Sequence, residues 1–213
     1  MNEIREVGIE KETFLLNKDG SVMEPKLYGF PRDEFEFLVE LRSLPSDRLY
    51  PVYTTLQQEE LQYKLRANKF NMELIDTPNR IVDKEWVDKH WKKYDLHRFD
   101  ELDFTKNIYD KALQQQSHHL GVLSSKSEKF KKLTAGIHVH FSSRDVISGE
   151  VIDLPEKKIV EEMDNSFRLE IKQAERNFGE WEPKAHGFEY RSLPCDTDVY
   201  RVLKESFRIL REV

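Results

Sequence analysis

Four short segments of this chain place carboxylates, imidazoles and guanidinium groups two residues apart. They are Gly8-Ile9-Glu10-Lys11-Glu12, Val39-Glu40-Leu41-Arg42, Gly136-Ile137-His138-Val139-His140-Phe141 and Phe188-Glu189-Tyr190-Arg191. Side chains alternate across a strand, so Glu10 and Glu12 share a face, as do Glu40 and Arg42, His138 and His140, and Glu189 and Arg191. The opposite positions hold Val39, Leu41, Ile137, Val139, Phe141, Phe188 and Tyr190. A sheet of such strands buries one face and gathers acids, imidazoles and arginines on the other. Oxygen-rich donors with one or two imidazoles favour Mg²⁺ or Mn²⁺ over structural zinc. Hard cations beside arginine are also what phosphoryl transfer requires.

Each segment taken alone has a plainer reading. Acid–base alternation such as Glu10-Lys11-Glu12 is usually a solvated strand face, although Phe14 and Leu16 continue this one and point to an enclosed setting. Glu189/Arg191 and Glu40/Arg42 are both compatible with simple salt bridges. His138 and His140, about 6–7 Å apart at Cα, suit one metal, a metal beside an anion, or a surface pair. His118-His119 reads as a surface pair at a helix end, and Arg32 and Asp33 lie close enough along the chain to reach the site.

The elements that must position these residues follow from periodicity. A first strand is expected near residues 5–16, with a turn at Asn17-Lys18-Asp19-Gly20, and the second site strand near 36–43. A helix over Thr55–Lys69 takes Leu61, Leu65 and Tyr63 as its apolar side, and Asn71–Asp76 is a further strand. Residues 79–105, which mix aromatics with both charges, read as an irregular insert or lid. Ile108, Ala112, Leu113, Gln116 and Leu120 mark a helix ending near Gly121, and Val122–Lys132 a polar loop. Ile159, Met163, Phe167, Ile171, Ala174 and Phe178 define a helix stopped by Gly179. A last helix carries Val199, Leu203, Phe207, Leu210 and Val213. Together these indicate an α+β fold, an antiparallel sheet backed by helices on one face.

The 213 residues fit a single domain with a real core, and no linker or repeat divides them. Charged residues make up 35% and apolar ones 38%, while hydrophobic periodicity persists. The net charge of −6 without a basic stripe argues against a nucleic-acid partner. No apolar run approaches the roughly 20 residues of a membrane span, and the first residues lack a secretory stretch. Cys195 is the only cysteine, which excludes an internal disulfide and fits a reducing cytoplasm. No Gly-rich loop precedes Lys-Ser/Thr, and neither a Gly-x-Gly-x-x-Gly fingerprint nor a Gly-x-Ser-x-Gly elbow occurs.

Taken in order, the four segments resemble the glutamine synthetase/glutamate–cysteine ligase superfamily, and most of all its phage-associated amidoligases (COOH·NH2 ligase type 2). That pattern runs as an acid-x-Glu strand, a Glu-Leu-Arg strand, a Gly-x-His-x-His-Phe strand and a late Glu-Tyr-Arg followed by a proline, here Pro194. The resemblance spans residues 8–194, and about 95 residues between the second and third segments carry no match to it.

The resemblance implies a curved antiparallel sheet whose concave face holds ATP and two or three Mg²⁺ ions. In that scheme Glu10, His138 and Glu189 hold the metal nearest the ATP phosphates, and Glu12 and Glu40 the metal nearer the acceptor carboxylate. His140 contacts phosphate, Arg191 stabilises the γ-phosphoryl group in transit, and Arg42 binds a substrate carboxylate. The implied reaction phosphorylates a carboxylate and joins it to an amine as an amide or isopeptide, in the cytoplasm (the host's, if the chain is phage-encoded). The carboxylate belongs to a small molecule or a peptide. Two other readings fit the residues: a metal-dependent hydrolase or lyase without nucleotide, and a non-catalytic protein whose acids and bases form only a salt-bridge network.

Overall fold

The computed structural model of the chain describes residues 3–31, 37–83, 106–109 and 130–213. Its centre is β1 (Glu3–Asn17), which pairs with β2 (Leu38–Arg42), β3 (Met72–Ile75) and β7 (Gly136–Asp145). The sheet continues from β7 through β9 (Gly187–Pro194) and β8 (Glu180–Lys184) to the short β5 (Lys106–Asn107). These seven strands are antiparallel throughout. A separate ribbon pairs β4 (Asn79–Asp83) with β6 (Phe130–Thr134).

Among the described residues the α-helices are α1 (Leu49–Lys69), α2 (Glu156–Ser166), α3 (Arg168–Gln173) and α4 (Val199–Glu212). The alternation in the strands decides where they pack. Val7, Ile9, Leu41, Val139, Phe141, Phe188 and Tyr190 form one continuous core with Val52 and Leu56 of α1, Ile159 and Met163 of α2, and Leu203 and Phe207 of α4. Burying each large side chain of this set contributes roughly 2 kcal/mol. The mixed α+β class and the helix-backed antiparallel sheet are as the sequence predicts.

Several elements differ from expectation. In α1 the inward side chains are Val52, Leu56 and Ala67, with Tyr63 packed beside them. Leu61 and Leu65 are exposed, because residues two apart on a helix lie about 200° from one another, so neither can share a face with Tyr63. The helix expected through Phe178 breaks at Phe167 into α2 and α3, and the chain turns at Glu175 with φ 55°. Gly179 therefore does not stop the helix; it leads into β8, a strand that periodicity missed. Residues 79–83 and 130–134 pair as strands where an irregular insert and a polar loop were expected. The rest of the proposed lid (84–105), the helix over 110–120, His118-His119, and Arg32 with Asp33 lie outside the described residues.

Two local devices fix the C-terminal helix and the central strands. Asp198 caps α4 by accepting from the amides of Tyr200 and Arg201. Where β7 and β9 slip register between Ile137 and Val139, the buried Arg176 donates to the carbonyls of Ser192, Ala135 and Arg191. It thereby ties together the backbone on either side of the bulge.

Candidate functional site

Strand register assembles the polar face. Glu10 stands opposite Arg42 on β2 and opposite His138 on β7, and Glu12 stands opposite Glu40. One step along, Gly8, His140, Glu189 and Glu182 form a row across β1, β7, β9 and β8. Neighbouring strands lie about 4.8 Å apart, so these side chains are contiguous on the face turned away from the helices. Lys11, by contrast, has the parity of the apolar face and is buried against Asp76 at 2.7 Å.

Glu189 is the electrostatic centre, only 1% exposed. Its Oε1 meets His138 Nδ1 at 2.8 Å and Arg191 Nη1 at 3.7 Å, and its Oε2 meets Lys184 Nζ at 2.8 Å. Burial opposes its charge, but His138 and Arg191 outweigh burial and hold the carboxyl well below the usual range. The reciprocal balance acts on His138: burial and Arg191 disfavour its protonation, while Glu12 and Glu189 prevail and raise its pKa. Lys184 is likewise raised by Glu189 and Glu182 against the cost of its burial. Glu10 loses hydration too, yet the two histidines bring its carboxyl down to about 2.

The remaining acids are committed within the fold. Glu12 Oε2 accepts from the Gly136 amide at 2.6 Å, and Glu12 Oε1 lies 3.8 Å from His138 Nε2. Arg42 Nε is shared between Glu40 at 2.6 Å and Glu10 at 3.3 Å. Its side chain is 62% exposed and presents a guanidinium to solvent at the edge of the site. Arg191, nearly buried, is ion-paired to Glu182.

A cation would find its donors in Glu10, His140 and Glu189, whose ligand atoms lie within 4.8 Å of one another. His140 Nε2 is buried and lies 3.3 Å from Glu10 Oε2, an ion-pair distance without a well-formed hydrogen bond. A buried imidazole nitrogen beside a carboxylate, with a second carboxylate in the same cluster, is a donor set that could hold a cation. Two carboxylates and one imidazole are the kind of oxygen-rich donor set that would suit a hard divalent cation. Beside the cluster opens a cleft of about 380 Å³, bounded by Glu10, Arg42, His140 and His186 with Gly8 and Ser142.

All eight residues expected at the site, Glu10, Glu12, Glu40, Arg42, His138, His140, Glu189 and Arg191, lie on this face. The two histidines stand differently in the face. His140, expected to contact phosphate, joins Glu10 and Glu189 in the donor cluster, whereas His138, expected as a metal ligand, is engaged with Glu189 through Nδ1. The register causes this: His140 is the β7 residue directly opposite Glu189. The sequence reading missed Glu182, Lys184 and His186, which the β8–β9 hairpin brings in. The alternation Trp181-Glu182-Pro183-Lys184, followed by a Gly-containing turn, was the available signal. Compared with family models, curated proteins and solved structures, the chain matches none.

Proposed function

We propose that this protein is an ATP-dependent carboxylate–amine ligase of the glutamine synthetase/glutamate–cysteine ligase type, a GS-like fold using ATP and Mg²⁺, with Mn²⁺ as a substitute. The observation that carries the reading is the convergence of Glu10, His140 and Glu189 on one point, with Arg42 and Arg191 on the same sheet face. The ordered motifs from residue 8 to residue 194 support it independently.

In this reading Glu10, Glu189 and His140 hold a divalent cation, and Glu12 and Glu40 form a second carboxylate pair. The cation, when bound, supplies neutralising charge for phosphate oxygens and for an incoming carboxylate. Arg191, fixed by its ion pair to Glu182, is rigid and carries a permanent charge suited to a phosphoryl group in transit. Arg42 offers an exposed fork for the carboxylate of a small molecule or peptide. His138 keeps Glu189 oriented through its Nδ1 contact. The carboxylate takes the γ-phosphoryl group of ATP and releases ADP; a neutral amine then attacks the acyl carbon, inorganic phosphate leaves, and a nearby carboxylate accepts the amine's proton.

The test is calorimetric titration of a non-hydrolysable ATP analogue, with Mg²⁺ and with EDTA, for the wild type and Glu189→Gln. The expected result is Mg²⁺-dependent binding, at least tenfold weaker in the variant. Absence of binding under both conditions discards the ligase and leaves a nucleotide-free metal enzyme or a salt-bridge scaffold.

A further inference from the structure

The β8–β9 hairpin delivers one imidazole that the proposed ligase chemistry does not use. His186 sits in the turn between Lys184 and Gly187, residues that pair directly across the hairpin. Its Nε2 lies 3.2 Å from His140 Nδ1, with the two ring centroids 5.4 Å apart. Gly187 makes this placement possible. Its φ is +146°, and a Cβ there would sit 2.1 Å from the Phe141 carbonyl oxygen, so only glycine lets the turn close against β7.

His140 therefore has two distinct nitrogens. Nδ1 makes a well-formed contact to His186, while Nε2 is buried, lacks a well-formed hydrogen bond and lies 3.3 Å from Glu10 Oε2, in the cluster that includes Glu189. A neutral imidazole carries one proton, and its position decides what the other nitrogen can do. With the proton on Nε2, a buried N–H would occupy the point where the carboxylate oxygens converge and would exclude a cation. With the proton on Nδ1, the hydrogen bond to His186 is made and Nε2 presents its lone pair to that point. Ligating histidines generally have such a partner for the other ring nitrogen, and its loss typically costs 10–100-fold in metal affinity.

We propose that His186 is a positioning residue: it accepts the Nδ1–H of His140 and so fixes the Nε2 lone pair of His140 toward Glu10 and Glu189. This rests on the reading of Glu10, His140 and Glu189 as cation ligands. His186 does not itself reach the cation. Its side chain is part of an exposed turn, so removing it leaves the buried core of the sheet intact.

The experiment measures Mn²⁺ affinity from the EPR signal of free Mn²⁺, without nucleotide, for wild type, His186→Ala, His186→Gln and Glu189→Gln. Circular dichroism and melting temperature check that each variant is folded. The expected pattern is 10–100-fold weaker Mn²⁺ binding in His186→Ala. Recovery to within about threefold of wild type is expected in His186→Gln, whose side-chain carbonyl can accept the same proton. Nitrogen-15 spectra of the Mg²⁺-bound wild type should show His140 protonated at Nδ1. Equal Mn²⁺ affinity in wild type and His186→Ala overturns the role of His186 alone, as does a glutamine variant no better than alanine. A wild type with no Mn²⁺ affinity, indistinguishable from Glu189→Gln, removes the metal centre and this proposal with it.

Discussion

Replacing Asp164 with Asn should make the protein's stability less dependent on pH, by an amount the structure allows to be worked out. Asp164 projects from α2 beneath the sheet and is 2% exposed. Its Oδ1 accepts from the hydroxyl of Tyr190 at 2.8 Å, while Oδ2 is buried without a hydrogen bond. Burial raises its carboxyl to about 6 from the ordinary 3.8, with the Tyr190 hydroxyl pulling partly the other way. A carboxyl whose folded value is raised binds its proton more tightly when folded. Its stabilising contribution is fully present below pH 3.8 and is lost as pH rises through 6. The whole effect is about 3 kcal/mol, of which about 1.4 kcal/mol falls between pH 8 and pH 5.

Asn keeps an oxygen for Tyr190 and has no charge to bury, so its own contribution is flat across that range. His138 and the lowered carboxyls of Glu10 and Glu189 titrate equally in both proteins and cancel in the comparison. Thermal melts of wild type and Asp164→Asn at half-unit steps from pH 5 to pH 8 provide the assay. The stability of the variant relative to wild type should fall by about 1.4 kcal/mol from pH 8 to pH 5. That is about 4 °C in relative melting temperature for a chain of this length. A difference constant over the range would refute the argument. It would mean that the Tyr190 hydroxyl and its neighbours compensate the buried carboxylate fully.

Arg176→Met removes a buried cation that holds the carbonyls of Arg191 and Ser192 at the β7–β9 bulge and leaves Glu12 and Glu180 less compensated. Urea unfolding should show a loss of about 3 kcal/mol, and a loss under 1 kcal/mol would contradict the bracing role. Gly187→Ala forces a side chain into the Phe141 carbonyl at a φ that L-residues rarely adopt, and should cost at least about 2 kcal/mol. The same variant should weaken Mn²⁺ binding through the displaced His186; unchanged melting and affinity together would show that the hairpin closes without glycine.

The fold was legible where one face of an element is fully buried. In α4, Val199, Leu203, Phe207 and Leu210 repeat at helical spacing because that side is buried in the common core. In β9, Phe188 and Tyr190 alternate with Glu189 and Arg191 because one face is core and the other is the site. The same reasoning failed for α1, where Leu61 and Leu65 look like core residues but are exposed. Hydrophobic identity is a one-way indicator of burial, and the phase of the stripe is set by what α1 packs against, here Leu41 and the other apolar side chains of the sheet. It failed again at Phe167, where two short helices continue one apolar repeat past a break that only backbone angles reveal.

The site was legible as a face and illegible as a set of pairs. Alternation alone places Glu10, Glu12, His138, His140, Glu189 and Arg191 on one side of a sheet, since it depends only on parity within each strand. Which histidine meets which acid depends on register between strands, and neither motif order nor spacing contains it. Here β7 and β9 slip between Ile137 and Val139, so His140 comes to lie opposite Glu189 while His138 reaches the same carboxylate from the bulged side. A one-residue bulge, braced by Arg176 about forty positions further along the chain, thus decides which imidazole stands directly opposite Glu189 and which reaches it from the bulged side. The residues that complete the arrangement, Lys184 and His186, belong to a hairpin whose single turn is closed by Gly187. Their part in the site follows from how that turn folds back against β7, a tertiary contact that a single sequence cannot display.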